Sequence, residues 1–360
     1  MWYMYKGEEL HMIVTRLGHK YGKIYSFDLF GLVVVVINDF SIMQEGLNDP
    51  ALNNKGYNNV LQSEILGHHS HSYKHNAELR KFLLTAFRGL GIGKCNFEAN
   101  TVEESNALVD ELNAQEGKAC NPHHYLGNAT TNVLFKVLFG KRHDYDDDQF
   151  RHLLDLNHRL MELLGAGGGE SVSATIEWFC LYMMAHLDIQ QKIQEEIDSV
   201  VGQNRLPLLS DQNNLPYTRA TLLEIHRHVS LSPLSDFHAA GNETSLFGYR
   251  IPKGATIISN LYAVMRDPIA FPDPDQFKPE RFIDENGEYV EKKEVIPFGV
   301  GRRICPGENI AKMELFVFFT HLLHRFSLVK PEDIPPITFE GIYGATFAPK
   351  PFTTIFLPRN

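Results

Sequence analysis

Ten residues constrain this chain more than any others: Phe298-Gly299-Val300-Gly301-Arg302-Arg303-Ile304-Cys305-Pro306-Gly307. One cysteine follows a pair of arginines and precedes a Pro-Gly step, and Glu308 to Leu315 continues as a good helix former. A sulfur at a helix N-terminus, beside positive charge, is favoured as thiolate. Gly301 and Gly307 permit positive φ and a close approach of backbone to a flat ligand. Taken alone, a free cysteine is most often a buried structural residue. A single thiolate on a rigid loop also has the chemistry of a proximal ligand to a haem iron that splits O–O.

The pattern Phe-x-x-Gly-x-Arg-x-Cys-x-Gly resembles the cysteine loop of the haem-thiolate monooxygenases, the cytochrome P450 family. The resemblance runs from about Gly18 to the end, with one internal stretch of the family missing. It implies a mainly α fold with small β-sheets, truncated at the N-terminus, one catalytic domain over residues 1–360 and haem b as cofactor.

Composition is that of a globular protein, 43% hydrophobic and 22% charged over 360 residues, enough for one large core or two domains. Net charge is −10, with no basic tract or basic-aromatic array, which argues against nucleic acid as a partner. The four cysteines, Cys95, Cys120, Cys180 and Cys305, lack framework spacing and fit a reducing compartment. The longest apolar run, Leu29 to Ile37, is half the length of a membrane span and reads as a strand. Animal members of the family usually begin with a membrane anchor and a Pro-rich hinge. This chain starts inside what would be the first helix of the catalytic domain, as a fragment or a protein without its anchor would.

Periodicity predicts a helix over Glu8–Tyr21, strands at Ile24–Leu29 and Leu32–Ile37 around Phe30-Gly31, and a short helix capped by Asn38-Asp39. Gly56 to Asn76 reads as irregular. Its four histidines, His68, His69, His71 and His75, suit a solvated loop better than a metal site, since no Cys or carboxylate completes one. Helices follow at Ala77–Leu90, Glu98–Gln115, Tyr125–Phe139, Asp147–Leu164, Val172 to about Val201, and Tyr217–Val229. Strands are expected near Leu246–Ile251 and Thr256–Asn260, a Pro-rich meander from Asp267 to Glu280, and a β-hairpin from Phe347 to Leu357.

Glu224 and Arg227, three apart on one helix face, are close enough to pair. With Arg281 in Pro279-Glu280-Arg281-Phe282 they resemble the family's Glu-x-x-Arg helix and Pro-x-Arg-Phe segment. That resemblance gives Glu224, Arg227 and Arg281 a structural role in haem incorporation. It also gives haem propionates to Arg303, to His238 and to Arg80, the arginine of the family's Trp-x-x-x-Arg motif. Asn76 stands at the tryptophan position, so the indole packed on the haem edge is absent. Gly167-Gly168-Gly169-Glu170-Ser171-Val172 lacks the Gly-Lys-Ser/Thr ending of a phosphate loop. It resembles the family's oxygen-activation motif, with Ser171 supplying the hydroxyl and Glu170 the acid that routes protons to dioxygen. Three consecutive glycines cost about 1 kcal/mol each in helix stability relative to Ala.

The missing stretch falls between Asp147–Leu164 and the glycine run, near residues 164–166, where the family carries its lid helices. A skipped exon, an incomplete gene product or a shortened protein would leave the same gap. Segments such as Leu138-Phe139-Gly140-Lys141-Arg142 look like the animal drug- and steroid-oxidising branch. The resemblance then implies insertion of one oxygen atom from dioxygen into a hydrophobic small molecule. It implies electrons from an NADPH-dependent cytochrome reductase, with cytochrome b5 as a further partner, at the cytoplasmic face of the endoplasmic reticulum membrane. The rival expectation is a haem-binding short form that is non-catalytic or uncoupled.

Overall fold

The structure is a computed structural model and describes residues 8–55, 73–89, 95–163, 171–235, 237–343 and 346–359. Two compact units emerge, each assembled from three separate stretches. The first takes Met1–Ala86, Ser232–Gln276 and Lys293–Glu308, and the second takes Phe87–Leu231, Phe277–Lys292 and Asn309–Asn360.

The first unit is built on a five-stranded sheet. Ile24–Leu29 turns at Phe30-Gly31, both at positive φ (55° and 86°), into Leu32–Ile37, with Leu29 opposite Leu32. The β-branched run of the second strand suits a pleated, buried surface. It pairs in parallel with Thr256–Ser259, which is followed across the sheet by His238–Ala239 and Asn54–Lys55. Val34, Val36, Leu234 and Ile258 close with Val14 of helix Leu10–Tyr21 into a small core. The expected cap is in place: Asp39 Oδ1 accepts from the Ser41 and Ile42 amides and starts helix Phe40–Asn48.

The second unit is helical. Ser173 to Met184 are all buried in helix Ser171–Ala185, and Glu314 to His324 in helix Glu308–Arg325. A helix apolar around its whole circumference belongs inside a core. Around them lie Cys95–Asn113, His123–Phe139, Asp148–Leu163, Leu187–Val200 and Pro216–Val229, with a sheet of Ala119–Cys120, Thr354–Pro358 and Phe326–Val329.

Three expectations need correction. The helix expected from Val172 to Val201 is two, Ser171–Ala185 and Leu187–Val200, broken at His186. No Gly or Pro marks the break. Gln190 Nε2 instead donates to the Met183 carbonyl (3.0 Å), an acceptor that a continuous helix would use for its own backbone. The C-terminal hairpin does not form between Phe347 and Leu357. Phe347–Pro349 pairs back on Gly341–Tyr343, and Thr354–Pro358 pairs with Phe326–Val329 and Ala119–Cys120. Pro351 has no N–H to continue a ladder between the two strands. Finally, the helix expected from Ala77 begins at Tyr73, so His75 and Asn76 belong to its first turn. His68, His69 and His71 lie outside the described residues, as do Glu170 and the glycine run before it.

Candidate haem-thiolate site

The cysteine loop is shaped by two glycines in the left-handed region, Gly299 (φ 76°) and Gly301 (φ 79°). Gly301 also backs onto the Leu47 carbonyl. A Cβ there would stand 2.5 Å from that oxygen, so only glycine fits. A single 3₁₀ turn, Gly301–Arg303, leads to Cys305. The Cys305 amide donates to the Phe298 carbonyl at 2.9 Å, and the Cys305 carbonyl accepts from the Glu308 amide at the start of the 18-residue helix. Both backbone groups of the cysteine are engaged, which fixes its height, while the side chain is exposed.

Three arginines brace this loop through backbone carbonyls. Arg80 Nη1 donates to the Ile304 carbonyl at 2.5 Å, Arg302 Nε to that of Asn48 at 2.7 Å, and Arg303 Nε and Nη2 to that of Asn53 at 2.9 and 2.6 Å. Asn53 is itself buried, its amide donating to the Leu47 and Asp49 carbonyls. Asn53 escaped the sequence reading because the group it offers Arg303 is a main-chain oxygen, which every residue carries. His238 sits in the same unit, buried on the five-stranded sheet opposite Lys55 and Ile257.

In the second unit Glu224, Arg227 and Arg281 meet. Glu224 accepts from Arg227 Nε (2.6 Å) and Nη2 (2.9 Å), from Arg281 Nε (3.3 Å) and from the Lys278 amide (2.8 Å). The side chains of Glu224 and Arg227 are fully buried and Arg281 is 7% exposed. Ser171 is the first residue of its helix and is exposed, its carbonyl accepting from Thr175 Oγ1 at 2.7 Å. Farther along the same helix, Trp178 Nε1 donates to the Phe347 carbonyl (2.7 Å) and stacks on the Phe347 ring.

The donor set fits a haem with one protein ligand: a single positioned thiol at a helix start, with cations of the same unit around its loop. Among the described residues no group of three or more His, Cys, Asp or Glu side chains could hold a bare metal ion instead.

The family model described as Cytochrome P450 matches residues 1–167 and 161–356. The chain belongs to the cytochrome P450 family. As a cytochrome P450 it is a haem-thiolate monooxygenase whose cofactor is haem b. Relatives include cytochrome P450 2U1 of Bos taurus, 29% identical over 98% of this chain and 82% of that protein. Cytochrome P450 2J5 of Mus musculus is 27% identical over 98% of this chain and 88% of its own. Cytochrome P450 2D6 of Homo sapiens is 28% identical over 96% and 88%. The alignment with the bovine cytochrome P450 spans 448 positions, more than the 360 residues present here, so the relative carries residues inside the aligned span that this chain lacks. The two family matches meet at residues 161–167.

Proposed function

We propose that Cys305 is the axial thiolate and that Arg80, His238 and Arg303 receive the haem propionates. The observation that carries this is the cysteine loop itself, closed by the Cys305–Phe298 hydrogen bond and braced by Arg80 and Arg303 within one unit. When bound, haem supplies the iron that activates dioxygen. Ser171 then offers a hydroxyl at the oxygen-activating end of its helix, with Glu170 beside it in sequence as the acid that relays protons. Glu224 fixes Arg227 and Arg281 in a buried network that stiffens the unit's scaffold for haem incorporation.

The substrate is a hydrophobic organic molecule that receives one oxygen atom. Electrons come from an NADPH-dependent reductase, with cytochrome b5 as a second donor, at the cytoplasmic face of the endoplasmic reticulum. None of the described helices is long and apolar enough to cross a membrane. The whole of 1–360 acts as one catalytic domain. The break in the family match at 161–167 falls immediately before Ser171, which supports a distal side short of its lid. A lid excludes water from the reacting centre. With less of it, a larger share of reducing equivalents leaves as hydrogen peroxide.

The reduced, carbon monoxide-treated chain tests this. A strongly red-shifted Soret band, lost in Cys305→Ser, is the expected result. Haem bound with no red shift would refute Cys305 as ligand. Counting NADPH consumed against product formed measures the leak, and tight coupling would refute the shortened lid.

A further inference from the structure

One face of helix Ser171–Ala185 carries Ser171, Thr175, Trp178 and Tyr182, at spacings of four, three and four. Trp178 is two helical turns from Ser171, about 10 Å along the axis. Its ring centroid is 6.5 Å from that of Tyr182, and both residues are buried. Tyr182 Oη meets His228 Nδ1 at 2.6 Å. The phenol ring then packs on Phe339 (4.5 Å) and on His186 (6.1 Å), side chains that reach the surface.

The contact with an imidazole decides what Tyr182 can do. A phenol that loses an electron becomes strongly acidic and must shed its proton. Tyr25 bonds the Val14 carbonyl, which cannot accept a proton. Tyr182 instead faces a ring nitrogen that accepts a proton when the imidazole carries its hydrogen on Nε2. Indole and phenol are the two side chains that give up one electron most readily after the thiol. Here they follow one another from the Ser171 end toward the surface.

We propose that Trp178, Tyr182 and His228 form a relay that drains oxidising equivalents from the oxygen-activating end of the helix to the protein surface. It rests on the assignment of Ser171 to that end. Trp178 gives one electron to the oxidant generated by the monooxygenase reaction when no substrate is attacked, and becomes a radical cation. Tyr182 returns one electron to Trp178 and passes its phenolic proton to His228 Nδ1, leaving a neutral tyrosyl radical and an imidazolium. A soluble thiol at the surface supplies one electron to the tyrosyl, becoming a thiyl radical and releasing its own proton to water, and His228 returns the phenolic proton. The relay protects a site that leaks.

The test is electron paramagnetic resonance on the full chain loaded with haem, mixed with hydrogen peroxide and rapidly frozen. A neutral tyrosyl signal is expected, lost in Tyr182→Phe and reduced several-fold in His228→Asn, which keeps an acceptor but no base. Haem in Tyr182→Phe should bleach several-fold faster under peroxide. An unchanged tyrosyl signal in Tyr182→Phe overturns the relay. Tyr182→Phe keeps the ring and its packing, and near-ultraviolet circular dichroism checks that the fold is retained. Light-driven oxidation by a ruthenium(III) polypyridyl complex reads the Tyr182–His228 step without haem. A Tyr182-dependent signal there, with none after peroxide in loaded chain, would also overturn the relay, because the pair would not be connected to the oxygen site. A missing carbon monoxide band, in contrast, strikes only the Cys305 assignment.

Discussion

Glu224 is the shared acceptor of a buried ion-pair network in the second unit. Its carboxylate faces two guanidiniums with no exposed surface of its own. Glu224→Ala would strand Arg227, which is also fully buried, and should cost about 3–5 kcal/mol in urea unfolding. The exposed pair Arg250–Glu243 is the control, and its removal should leave the urea unfolding midpoint nearly unchanged. Gly301→Ala is a different kind of lesion. It combines a left-handed φ, about 1–2 kcal/mol, with a backbone clash against Leu47. Its effect should fall on the cysteine loop. The carbon monoxide band should be lost or shifted while far-ultraviolet circular dichroism stays that of the parent. These residues differ in how readable they were. Glu224 and Arg227 are neighbours on one helix, so spacing alone pairs them. Arg281 entered only by resemblance, and the Asn53 carbonyl that holds Arg303 carries no sequence signal at all.

Among the elements, local patterns were legible and distant pairings were not. The hairpin around Phe30-Gly31 follows from a β-branched run and one turn, and its bounds agree with expectation. The cap at Asp39 is equally local. The break at His186 depends on Gln190, whose amide joins Met183 in the preceding helix to Leu328 in a strand far along the chain. The last strand, Thr354–Pro358, pairs with residues 326–329 and 119–120, partners that no window near residue 350 contains. Gln190 is therefore the element-scale test. Its side chain donates to the carbonyls of Met183 and Leu328 and accepts from the Leu328 amide at 2.6 Å, all buried. Gln190→Ala leaves these groups without partners, at roughly 1–3 kcal/mol for each unsatisfied group. Chemical denaturation should show a loss of several kcal/mol. Faster hydrogen exchange should centre on Phe326–Val329 and on the junction of the two helices.

At the scale of the whole molecule, buried titratable groups set the pH range of stability. Burial pushes His321 down to about 4, against the partial opposition of the Pro207 carbonyl, and burial with Arg266 does the same to His11. Unfolded, each returns to the ordinary value near 6.5. Their contribution is complete above pH 6.5 and is lost as pH falls from there toward 4, where the unfolded chain takes up protons the folded one refuses. Glu314 acts in the other direction. Burial pushes its carboxyl up to about 8, and Oε1 has no hydrogen-bond partner among the described residues. Its cost is absent below pH 4.5 and grows as pH rises toward 8. Calorimetry should find Glu314→Gln close to the parent at pH 5 and more stable at pH 8, by a few kcal/mol at about 1.4 kcal/mol per pH unit. A difference that does not change with pH would show that Glu314 does not titrate across this range.

The interleaving of the two units has a consequence for synthesis. Asn260 bonds Asn38 across 222 residues, and Leu32–Ile37 waits for Thr256–Ser259 to complete its sheet. At about 5–20 residues per second, a ribosome takes roughly ten to forty seconds to supply that partner. Throughout this time the nascent chain carries Leu-Val-Val-Val-Val-Ile, a six-residue strand former with no charge, outside its sheet. Such a segment invites pairing between chains on the same messenger, so the yield of folded protein should depend on chaperones that bind the N-terminal third before the rest exists.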